Sequence, residues 1–74
     1  GQDTIEIHED AVGKGERVLL VDDLLATGGT MAAACELVDS RKARIVGIAF
    51  LIELGFLNGR DKLGSHEIFS AIRY

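Results

Sequence analysis

Residues 18–30, VLLVDDLLATGGT, pass from four apolar residues through the acids Asp22 and Asp23 into a run of small residues, Ala26 to Thr30. Consecutive branched apolar residues such as Val18 to Val21 are the pattern of a parallel strand covered on both faces. The sequence therefore places a central strand over Arg17 to Asp22. Beyond the small-residue loop, Met31, Ala34, Cys35 and Val38 fall at i, i+3, i+4 and i+7. That spacing gives a helix from about Thr30 to Ser40 one apolar face to lay on the sheet, with Glu36, Asp39 and Lys42 opposite. Ala43 to Leu54, ARIVGIAFLIEL, is again continuously apolar and completes a strand, helix, strand unit with a right-handed crossover.

Outward from this unit, Thr4 to His8 (TIEIH) alternates polar and apolar residues as a short half-buried strand does, and Gly13 and Gly15 mark a turn. GFLNGRDKLG, residues 55–64, predicts a loop with one helical turn at Arg60 to Leu63, and His66 to Ile72 predicts a last strand. The chain thus divides into a strand and turn over 1–16, the strand, loop, helix and strand over 17–54, and a loop with a final strand over 55–74. The class is α/β with a parallel, Rossmann-like sheet. Three or four strands with one good helix leave half of such a sheet uncovered, so the domain is either a fragment of a larger protein, as expected here, or completed by another segment or chain.

At 74 residues the chain is one domain at most, and a domain of this size buries only about 60% of the surface its unfolded form exposes. Eight Lys and Arg against 12 Asp and Glu give a net charge of −4, so no basic face is available to follow a nucleic-acid backbone, and nucleic acid is excluded as a partner. No apolar run approaches the length of about 20 residues that spans a bilayer. The acidic start, GQDTIEIHED, is unlike a signal peptide, and the single Cys35 has no disulfide partner, so a cytoplasmic location is expected. Cys35 reads as a core residue, and His8 and His66 share no metal-ligand spacing. Phe50, Phe56 and Phe69 read as packing residues, and Arg60, Asp61 and Lys62 as a solvated mixed-charge loop.

The chemistry concentrates at Asp22 to Thr30. No GxxxxGK[ST] pattern is present, and Gly13-Lys14-Gly15 precedes the strand where a dinucleotide fingerprint would follow it. The loop is read on its own terms. Ala26, Gly28 and Gly29 lack bulk, so backbone N–H groups can close around an anion, while Thr27 and Thr30 offer hydroxyls and Thr30 stands where an N-cap belongs. The start of the following helix adds roughly half a positive charge and up to four unpaired N–H groups. Carboxylates accept hydrogen bonds and cannot donate them, so Asp22 and Asp23 suit sugar hydroxyls or the water shell of Mg²⁺ rather than a phosphate. A ribose 5-phosphate fits both halves. On this reading a side chain at Gly28 projects into the phosphate pocket and blocks it. The plain alternative is a strand–turn–helix junction with solvent-exposed acids. A receiver domain, which also opens on two acids, lacks its phospho-accepting Asp between Lys62 and Tyr74.

Val18 to Thr30 resembles the 13-residue phosphoribosyl pyrophosphate (PRPP) motif of type I phosphoribosyltransferases. In its LLATGGT form, with IEIHEDA, MAAACELV, LIELGFLNGRDKL and FSAIRY around it, the chain is most similar to the adenine phosphoribosyltransferase family. The resemblance covers nearly all of the chain and implies the C-terminal half of such an enzyme. It implies transfer of phosphoribose from PRPP to adenine, giving AMP and pyrophosphate, with Mg²⁺ on the diphosphate and a homodimeric assembly. By the same resemblance Asp22 and Asp23 are the catalytic and ribose-binding acids. Ala26, Thr27, Gly28, Gly29 and Thr30 take the 5′-phosphate, and Leu54 lies near the purine. The family's hood over adenine, its pyrophosphate-binding segment and its flexible-loop glutamate would all precede Gly1, so Glu6 and Glu9 are not that glutamate and this stretch alone is expected to be inactive. A non-catalytic nucleotide-binding regulatory module shares every one of these residues. SRKAR, residues 40–44, lacks the glycines common after this helix.

Overall fold

The computed structural model describes residues 13–74, so the expected strand at Thr4 to His8, with Glu6 and Glu9, lies outside the described residues. The described elements are β1 (Arg17–Leu25), α1 (Gly29–Ser40), β2 (Arg44–Glu53), two 3₁₀ turns at Gly55–Leu57 and Gly59–Lys62, and β3 (Ile68–Arg73). The strands form one parallel sheet in the order β1-β2-β3. Among the described residues β2 lies between β1 and β3, and β1 has β2 as its one neighbour. An apolar run reports what packs above and below a strand. Its rank in the sheet depends on where the third segment adds, and Ile68–Arg73 adds beside β2, through Ile48↔Ile68 to Glu53↔Arg73.

Among the described residues, one layer covers the sheet. α1 lays Met31, Ala34, Cys35 and Val38 against Leu20, Ile48 and Phe50, and Leu63 closes the same core. The helical spacing read from the sequence is thus the buried face. The other face of β1 is open, with Leu19 58% and Val21 51% exposed, so the four-residue apolar run is not covered on both sides among the described residues. Phe50 is buried, whereas Phe69 stands on the open side of the sheet and Phe56 on a surface turn, and both are exposed. Their expected packing role is corrected by the absence of a second covering layer in the described residues. α1 ends without glycine: Lys42 takes φ 60° and its N–H bonds the Asp39 carbonyl at 2.9 Å. A left-handed conformation costs a non-glycine residue about 1–2 kcal/mol.

The ladder between β1 and β2 runs on to Leu25↔Glu53, so β1 is longer than expected. Asp22 lies within the strand as expected, Asp23 to Leu25 extend it, and the turn 26–28 opens at the carboxyl end of the sheet.

Candidate functional site

The turn from β1 to α1 forms a small cleft of about 60 Å³, floored by Asp22, Leu24 and Phe50 and walled by residues 26–30. Gly28, and not Thr30, is the N-cap of α1, with φ 88° and ψ −3°. The correction has a steric cause: the chain enters the helix through a left-handed residue, a conformation glycine adopts without penalty. Thr30 falls instead in the first helical turn. Among the described residues no side chain caps the helix and no acid sits in its first turn. The early N–H groups are thus left for an external acceptor, where the helix dipole favours an anion.

A second glycine braces this turn. A Cβ built on Gly28 would run into the carbonyl of Gly59, and one on Gly59 would strike the Ala26 carbonyl and the Leu25 side chain. Two glycines therefore let the 3₁₀ segment and the turn approach backbone to backbone. This corrects the expectation that a side chain at Gly28 enters the cleft, because it points at Gly59. Gly29 differs, since nothing lies within 4 Å of a Cβ there.

The two acids face different surroundings. Asp22 is 7% exposed and lines the cleft. Its Oδ1 accepts the Asp23 N–H at 2.8 Å, and its other oxygen has no partner among the described residues. Asp23 is exposed and is not part of the cleft lining, as the alternation of side chains along a strand requires of adjacent residues. Ala26, Thr27, Gly28, Gly29 and Thr30 all line the cleft. Leu54 does not. It is half-buried just past β2, and its N–H bonds the Leu25 carbonyl at 2.9 Å.

Sequence reasoning missed Glu53, which is 1% exposed at the end of β2. Arg60 Nε donates to its Oε2 and Arg60 Nη2 to its Oε1, both at 2.7 Å, and Ser70 Oγ donates to Oε1 at 2.8 Å. Arg73 Nε stands 3.6 Å from Oε2. Arg60 is accordingly exposed, as expected, but held in an ion pair with Glu53. The available signal was an acid closing an apolar strand, which calls for a cationic partner. The Arg60 hydrogen bonds, with help from Ser70 and Arg73 and against the effect of burial, hold the Glu53 carboxyl at about 2 instead of 4.5. A carboxyl depressed on folding stabilises the protein above its unfolded value. That contribution fades as pH falls from about 4.5 towards about 2, where the unfolded chain takes up a proton that the native one refuses. Urea midpoints measured across this range should fall with acid in the parent and fall less steeply in Glu53→Gln.

Burial, followed by the nearby Asp39, pushes the Cys35 thiol up, which suits a core residue rather than a nucleophile. Among the described residues no three His, Cys, Asp or Glu side chains are grouped to hold a metal ion, and no helix is long and apolar enough to cross a membrane.

The chain is 58% identical over its 74 residues to the adenine phosphoribosyltransferase of Koribacter versatilis and spans 41% of that protein's length. The crystal structure of adenine phosphoribosyltransferase from Thermoanaerobacter pseudethanolicus matches 92% of the chain with a TM-score of 0.85 at 53% identity, over 40% of its own length. The Trypanosoma brucei enzyme, solved with AMP, pyrophosphate and ribose-5-phosphate, matches 82% of the chain with a TM-score of 0.78 at 33% identity, over 29% of its own length. The chain thus spans about two fifths of the length of these bacterial relatives. The family model for the phosphoribosyl transferase domain matches residues 2–68, a span that holds the whole cleft, and the chain belongs to that family.

Proposed function

We propose that this chain supplies the ribose-5-phosphate site of an adenine phosphoribosyltransferase, which moves phosphoribose from PRPP to adenine and yields AMP and pyrophosphate. The observation that carries the reading is the joining, in one cleft, of an uncapped helix N-terminus entered through a left-handed glycine with a buried carboxylate, Asp22. The amides and the Thr27 and Thr30 hydroxyls are donors for a phosphate, and Asp22 is an acceptor for a hydroxyl. Asp23 is exposed outside the cleft lining, and its share in the ribose site is proposed from the family motif. Carboxylates beneath the ribose favour the positive charge that develops at its anomeric carbon as pyrophosphate departs, while the phosphate anchor holds the ring in place. When bound with the diphosphate, Mg²⁺ would supply charge neutralisation of the leaving group, and Asp22 is the buried carboxylate of this chain that could face its water shell.

The test is AMP titration into the natural full-length polypeptide, parent and variants. Hydrogen bonds to charged groups are worth about 1.5–3 kcal/mol, so Asp22→Asn with Asp23→Asn should weaken AMP by about 10- to 100-fold. Gly29→Ala puts a methyl beside the amides without a clash and should weaken AMP while leaving adenosine, which has no phosphate, unaffected. Equal AMP affinity across the set removes the assignment.

A further inference from the structure

We propose that Glu53 and Arg60 are positioning residues for the anion-binding turn, holding Gly59 against Ala26 and Gly28 from outside the cleft. The proposal rests on the reading of that cleft as a ribose-5-phosphate site.

Neither side chain lines the cleft, but Arg60 directly follows Gly59, whose backbone fills the space behind Gly28 and Ala26. The 3₁₀ turn that carries Gly59 is pinned at two points. At one, the Arg60 fork is fixed on Glu53 by two bonds of 2.7 Å, with Ser70 of β3 on the same carboxylate. At the other, Leu63 is buried in the core and its N–H bonds the Arg60 carbonyl at 3.0 Å. Asn58, with φ 53°, turns the chain sharply into this segment. A planar, two-bond pair fixes direction as well as distance, which a single ammonium cannot do. Hydrophobic residues of similar volume would stabilise a fold as well as a buried ion pair does, so the geometry of the pair is what the site gains. If Arg60 lets go, Gly59 drifts, Gly28 is free to leave its left-handed conformation, and the amides of Gly29 and Thr30 lose their aim.

The role predicts a selective defect. In the natural full-length polypeptide, kcat and KM for PRPP and for adenine are compared in the parent, Arg60→Met, Glu53→Gln and Arg60→Lys. Because the turn would hold the PRPP phosphate in the ground state and the transition state alike, its loosening should raise the PRPP KM about tenfold in Arg60→Met and Glu53→Gln with little change in kcat. The adenine KM should stay within about twofold, and Arg60→Lys, which keeps the charge without the fork, should fall between. Should Arg60→Met fail to fold, the ratio of the two KM values in Arg60→Lys decides alone. The positioning role is overturned if both KM values rise together, or if the denaturation midpoint falls with both unchanged. A parent protein that neither transfers phosphoribose nor binds AMP overturns the reading of the cleft and the positioning role with it, a result distinguishable because it is read without any variant.

Discussion

Gly28→Val should destabilise the protein by about 2–5 kcal/mol, the sum of about 1–2 for a left-handed residue with a Cβ and about 1–3 for overpacking. Set against a total of about 5–15 kcal/mol for a typical domain, this is enough to populate unfolded chains. The cause is the Gly59 carbonyl, which occupies the position of the new side chain. Because the first carbon already collides, Gly28→Ala should move the same way by a smaller amount. Urea denaturation with an unchanged m value measures the loss. A Gly28→Val protein as stable as the parent would show that the turn is not held against Gly59.

Arg60→Ala should cost about 3 kcal/mol, the low end of the range for stripping one partner from a buried ion pair. The low end applies because Ser70 and Arg73 still face the carboxylate and because the Arg60 side chain is itself 42% exposed. The reverse substitution should be milder. Glu53→Gln removes the charge that cannot reach water and leaves a guanidinium that can, so its loss should be the smaller of the two at pH 7. Chemical denaturation of both variants side by side gives the order, and a Glu53→Gln protein less stable than Arg60→Ala would contradict this account of which charge is trapped.

The elements whose order was legible are those fixed by local periodicity. Met31, Ala34, Cys35 and Val38 share one face of α1 because a helix repeats every 3.6 residues, and no distant contact alters that. β2 was legible from its unbroken apolar run, and β3 to within two residues at its start. The neighbour of β3 was not, because apolarity says nothing of which strand a third one selects. Phe56 and Phe69 misled for a related reason: an aromatic residue reports an apolar surface without saying whether anything among the described residues covers it. In the cleft, the small residues 26–30 marked the turn correctly, but the N-cap moved from Thr30 to Gly28 because backbone sign, which a residue type only hints at, decides where the helix begins. Arg60 and Glu53 are seven residues apart and meet only when the segment after β2 folds back over the sheet end, so a window on sequence sees a charged loop and an isolated acid.

The central claim is that the turn after β1 presents its amides to a sugar phosphate while Asp22 faces the sugar. A crystal structure of the natural full-length polypeptide soaked with AMP tests it most directly. The account predicts phosphate oxygens within hydrogen-bond distance of N–H groups in Gly28–Thr30 and a ribose hydroxyl on the free oxygen of Asp22. Nucleotide bound elsewhere, with this turn empty, would contradict it.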